Sequence, residues 1–147
     1  AQADPCCMGS AAMDALQVLE GFMEDERAGR DFLLRLARRL HHPQTARALR
    51  QMAEKKTVHI RQLAAAYYLT AGACCARTIQ VPAPEAGSTC CEALRSAYHD
   101  AACLGLNYLR AADGTEDLCL QHMFEKMGKE SFQQADQLLG LLSLLVQ

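Results

Sequence analysis

The sequence predicts an all-α fold: one domain, built as a four-helix bundle of two antiparallel helix pairs joined by a long crossover. Three observations lead there. Half of the 147 residues are hydrophobic but only 5% are aromatic, an aliphatic, Ala-rich balance that builds helices and is ample for a single core. Apolar residues recur at three- and four-residue spacing in four segments, about 12–40, 44–72, 89–112 and 116–146. The intervals between these segments run short, long, short.

The first segment carries the seam Leu16, Leu19, Met23, Glu26, Arg30, Leu33, Ala37, Leu40 and stops at His42-Pro43. Starting at Pro43, the second runs Leu49, Met52, Lys56, His59, Leu63, Ala66, Thr70 and ends at Gly72, as a helix closed by glycine does. So short a link forces an antiparallel pair. Residues 73–88 contain Val81-Pro82-Ala83-Pro84 and Gly87, which disfavour helix. About 15 extended residues span on the order of 50 Å, whereas a 26-residue helix is only about 39 Å long, so this crossover can run the length of the bundle. The third segment has the seam Leu94, Ala97, Ala101, Leu104, Tyr108, Ala111 and is expected to stop at Asp113-Gly114. Thr115 is the expected cap of the fourth, whose seam is Leu120, Met123, Met127, Ser131, Gln134, Leu138, Leu141.

Seams that should be apolar are therefore interrupted at mid-length by Glu26, by Lys56 with His59, and by Ser131 with Gln134. A buried charge costs several kcal/mol to desolvate unless it is paired, neutralised or bound to a metal, so the layer marks a site or the remains of one.

Short, long, short connections are those of the ferritin-like bundles. The residues point the same way. Glu26-x6-Leu33-x3-Ala37, Met52-Ala53-Glu54-Lys55-Lys56-Thr57-Val58-His59-Ile60-Arg61-Gln62-Leu63, Tyr108-x3-Ala112 and Gln134-Ala135-Asp136-Gln137-Leu138 resemble the twice-repeated pattern of the rubrerythrin and ferritin-like di-iron carboxylate proteins, over nearly the whole chain. What the resemblance implies about activity is negative. The first-helix carboxylate falls on Glu26 and the second-helix histidine on His59, and both match. The second-helix bridging carboxylate falls on Lys56, the third-helix carboxylate on Ala101, and the fourth-helix carboxylate and histidine on Ser131 and Gln134. Two irons need carboxylates and imidazoles to balance charge and fill their coordination, and a protonated lysine has no lone pair.

The expectation is thus a degenerate di-iron site in which Lys56 neutralises Glu26, with His59, Arg30, Ser131 and Gln134 completing a hydrogen-bonded layer that fixes helix register. No cofactor is expected. Glu20, Asp25, His99, Asp100, His122 and Glu130 lie roughly 100° or more around their helices from the seams, which places them at the surface. Tyr67, Tyr68 and Tyr98 read as core aromatics.

Cysteine is the second anomaly: eight residues, with Cys6-Cys7, Cys74-Cys75 and Cys90-Cys91 adjacent and Cys103 and Cys119 single. The topology gathers Cys6, Cys7, Cys74, Cys75 and Cys119 at one end, where disulfides from the N-terminal arm to the end of the second helix, or a thiolate site for zinc or copper(I), are both geometrically open. Structural cysteine is the expected reading.

A formal charge of −2 and a pI near 6.2 offer no basic surface for nucleic acid or an anionic membrane. The longest apolar run, Leu138 to Val146, is far short of the roughly 20 residues of a membrane span. Glycine-rich phosphate loops, Gly-x-Ser-x-Gly and His-Glu-x-x-His are absent. The expected role is therefore a non-catalytic binding or structural protein, a homodimer through an exposed helix face. Two alternatives stand beside it: an iron- or manganese-binding oxidoreductase with a centre rearranged around Glu26 and His59, and a cysteine-based zinc, copper or thiol redox protein. Resemblance to ferritin-like proteins places it in the bacterial cytoplasm, while the even cysteine count points to a secreted or periplasmic setting.

Overall fold

The computed structural model describes residues 7–76 and 88–146. Among these residues the chain is all-helical: a 3-10 turn, Ser10–Ala15, precedes α1 (Leu16–Arg39), α2 (Pro43–Ala71), α3 (Cys90–Gly114) and α4 (Leu118–Leu145). Most of the expected crossover, residues 77–87, lies outside the described residues, as does Cys6.

Local chemistry sets the boundaries. His42 caps α2 by accepting from the Thr45 amide, with Pro43 in the first turn where its missing N–H is no loss. Gly72 closes the same helix in the left-handed region at φ 74°, its amide bonded to the Tyr68 carbonyl at 2.8 Å. Thr89 and Glu92 form a reciprocal capping box at the start of α3. Two boundaries differ from expectation. The first helix opens as a 3-10 turn, and neither Gly9 at its start nor Ala15 at the start of α1 offers a capping side chain. Further along, α3 runs through Asp113-Gly114, and Asp117 rather than Thr115 caps α4, accepting from the Leu120 amide at 2.8 Å.

The helices pack chiefly as α1 with α2 and α3 with α4, with smaller contacts of α1 with α3 and α2 with α4. Near Gly128 the α3–α4 approach is close enough that a Cβ would stand 3.1 Å from the Gly105 carbonyl and 3.2 Å from the Tyr108 Cβ. The core comes in two apolar halves. One contains Leu19, Met23, Leu63, Leu104, Leu120 and Phe124, and the other Leu33, Leu36, Leu49, Met52, Leu94 and Leu138. Each such side chain contributes about 1.5–3 kcal/mol when fully buried. Along α1, α2 and α4 the two halves are separated by the polar positions Glu26, Lys56 with His59, and Ser131 with Gln134, while on α3 they meet directly between Ala101 and Leu104, so the polar layer sits at mid-bundle. No helix among the described residues is long and apolar enough to cross a membrane.

Candidate functional site

Glu26 is the centre of the layer. It is fully buried, and α1 holds it one turn beyond Met23 on the inward stripe. Its Oε1 accepts from the Lys56 ammonium at 2.9 Å. The second oxygen, Oε2, accepts from His59 Nδ1 at 2.6 Å and from the Tyr108 hydroxyl at 2.7 Å. Three donors from α2 and α3 thus converge on one carboxylate from α1. Lys56 and His59 are three residues apart on α2, which puts both on the same helical face.

Each donor is itself positioned. The Tyr108 ring stacks on Phe22, centroids 4.0 Å apart, and is backed by Phe124. That contact aims its hydroxyl along the bundle towards Glu26. Lys56 lies flat across α1 at Gly29, where a Cβ would stand 2.9 Å from its Cε and 3.1 Å from its Nζ. Gly29 is one turn after Glu26, so the missing side chain leaves the trough through which the ammonium reaches its partner. The other nitrogen of His59, Nε2, faces Glu130 Oε1 at 3.3 Å, and Glu130 is also paired with Lys55.

Electrostatics follow from the contacts. Burial pushes the Glu26 carboxyl up, but the His59 hydrogen bond, the charges of Lys56 and His59, and the Tyr108 hydroxyl outweigh it and hold the group below its ordinary value of 4.5. Tyr108 is pushed far up by burial and then by the adjacent Glu26 carboxylate, so its hydroxyl stays a donor. Glu130 is lowered: the Lys55 bond and the His59 charge exceed its desolvation.

The remaining expected positions separate. Ala101 is buried and offers no donor. Gln134 is buried, but its Nε2 donates to the Met52 carbonyl at 3.3 Å, away from Glu26. Ser131 is buried with an Oγ that has no hydrogen-bond partner. Arg30 does not enter the layer, because its Nε pairs with the neighbouring Asp31 at 3.2 Å. Glu130 corrects the expectation of surface placement, since its flexible stem swings the carboxylate inward to His59. Tyr68 is 53% exposed rather than core. Tyr67 is half-buried, its hydroxyl bonded to Glu20 at 3.1 Å. The roles of Tyr108, Gly29 and Glu130 do not show in the sequence, apart from one usable signal, a glycine one turn from a seam carboxylate.

Beside the layer opens a cleft of about 380 Å³, lined by Asp25, Gly29, Phe32, Lys56, Asp100, Ala101 and Gln134 among others. Solvent reaches Asp25 and Asp100, yet partial desolvation raises both carboxyls above their ordinary value of 3.8. Nearby carboxylates add to the rise at Asp25.

The donor set does not fit a di-iron centre. Two ligands held at about 2.1 Å by one ion stand roughly 3 Å or more apart, whereas His59 Nδ1 and Glu26 Oε2 are 2.6 Å apart and share a proton. The ammonium of Lys56 occupies the other oxygen.

At one end of the bundle Cys7 and Cys119 are joined by a disulfide, 112 residues apart in sequence. The N-terminal arm is thus tied to the start of α4: of the cysteines expected to gather at this end, Cys119 rather than Cys74 or Cys75 is the partner of Cys7. Cys74 and Cys75 are free thiols, exposed and half-buried respectively, and Cys75 packs against the same apolar half as Met8. No family model, curated protein or solved structure matches this chain.

Proposed function

We propose that this chain is a ferritin-like bundle, two antiparallel helix pairs joined by a long crossover, in which a protein-only ion network stands where a di-iron centre would lie. It acts as a non-catalytic binding or structural protein. The observation that carries this reading is the Lys56 ammonium, 2.9 Å from Glu26 Oε1 and buried with it. A cation on the protein does the charge balancing that a metal would do, and every Glu26 oxygen is already engaged.

Ion networks of this kind fix register more than they add stability. The binding role falls to the adjacent cleft, where the Asp25 and Asp100 carboxylates and the Lys56 ammonium stand on a largely apolar wall suited to a small amphiphilic ligand. Self-association belongs to the same proposal, with Leu69, Leu118, Leu139 and Leu144 exposed on the outer helix faces.

Lys56→Glu tests the reading. It places a second carboxylate against Glu26 and restores a bridging-ligand type at that position. The variant is expected to lose several kcal/mol and to be partly rescued by ferrous iron under anaerobic conditions. A variant as stable as the parent without metal overturns the proposal.

A further inference from the structure

The bridged end of the molecule holds more than a staple. The Sγ atoms of Cys7 and Cys119 and a carboxylate oxygen of Asp117 lie within 4.8 Å of one another. We propose that these three groups form a redox-gated zinc site: disulfide-closed when oxidised, and a Cys2Asp site with solvent as fourth ligand when reduced.

Three features favour it. Two thiolates and a carboxylate are a donor set zinc accepts, and three protein ligands with one open position is a known zinc arrangement. At about 2.3 Å per Zn–S bond, tetrahedral geometry needs thiolates roughly 3.8 Å apart, a separation the two side chains reach once the sulfur–sulfur bond is broken. Second, the ligands are prearranged. Asp117 is 2% exposed, and its carboxylate is fixed by the Leu120 amide on Oδ1 at 2.8 Å and the Met8 amide on Oδ2 at 2.6 Å. Each oxygen keeps a lone pair for a metal, and hydrogen bonds of this kind orient ligands. Third, Cys119 lies in the first turn of α4, where the helix N-terminus favours the thiolate.

Packing keeps the arm in place without the covalent bond. Ala12 and Ala15 of the 3-10 turn are buried in the core, and Met8 packs against it. Cys7 is exposed, so a reductant and a metal ion have access.

The chemistry balances. A dithiol reductant breaks the Cys7–Cys119 bond, is itself oxidised to a disulfide, and delivers two electrons and two protons to the two Sγ atoms. Zinc then displaces both thiol protons to solvent and binds both sulfurs.

The test uses cobalt(II) as a spectroscopic probe and zinc as competitor, on the full chain with the six other cysteines changed to serine and on the parent. The reduced six-serine variant should bind one cobalt per chain, with thiolate-to-cobalt charge-transfer bands that zinc abolishes, and the same variant with its bridge oxidised should show none. Asp117→Asn retains a capping oxygen and should weaken binding at least tenfold with unchanged helicity. Bands that survive Cys119→Ser, or no bands in the reduced parent, overturn the proposal.

Discussion

Lys56→Met removes the ammonium while keeping much of the stem that crosses Gly29. Glu26 is then a fully buried carboxylate with two donors instead of three. Breaking a buried ion pair from one side costs about 3–5 kcal/mol, because the surviving charge has lost its compensation. The side chains of Lys56 and Glu26 are 7% and 0% exposed, so solvent screens little of this. Since His59 and Tyr108 continue to donate, the lower end applies: about 3 kcal/mol, or roughly 6–12 °C in Tm for a chain of this size. Urea unfolding at pH 7 measures it. The double variant Glu26→Gln, Lys56→Met removes both charges and should return to within about 1 kcal/mol of the parent. A single variant within about 1 kcal/mol of the parent, or a double as unstable as the single, would refute the idea that these two charges compensate one another.

Other outcomes follow from the same contacts. Gly29→Ala gains about 1 kcal/mol of helix propensity, yet its Cβ meets Lys56. It should therefore destabilise the parent and stabilise a Lys56→Ala background, a change of sign read by thermal unfolding. Tyr108→Phe should cost about 1.5–3 kcal/mol, the worth of a hydrogen bond to a charged group, and chemical denaturation would show it. The Glu26 carboxyl lies below its ordinary 4.5 in the folded state. Its contribution to stability is thus complete above that pH and is lost as pH falls through the lower folded value. The stability difference between parent and Glu26→Gln should shrink over that acid window, and a difference constant with pH would contradict it. Reducing the Cys7–Cys119 bridge in metal-free protein should cost about 2–4 kcal/mol, measured by urea unfolding with and without dithiol.

The helices and the polar break between the core halves were legible in the sequence because both follow from periodicity. Glu26, Lys56 and His59 fall at inward positions at matching depth, and in the fold they meet. What periodicity carries is the direction of a Cα–Cβ bond, and that is where it failed. Glu130 starts on the flank of α4 and reaches His59 through three rotatable bonds, while Arg30 starts on the seam and turns aside to Asp31. Tyr108 looked like any core aromatic, because the target of its hydroxyl is set by the ring stacking on Phe22. The cap of α4 was misplaced because Thr115 and Asp117 are both good capping types. In the fold Asp117 is also held by the Met8 amide, from the far end of the chain, while the Thr115 hydroxyl accepts from the Asp117 amide. The Cys7–Cys119 pairing was beyond the sequence, since eight cysteines allow 105 full connectivities.

The claim that the Lys56 ammonium takes a metal's place beside Glu26 and His59 is tested most directly by anaerobic ferrous-iron titration of the untagged protein with its free thiols alkylated. Retained iron would be read by elemental analysis after gel filtration, with the His59 ring followed by NMR. The account predicts no retained iron and an unmoved His59 ring. About one or two irons per chain, lost on Glu26→Gln, would contradict it.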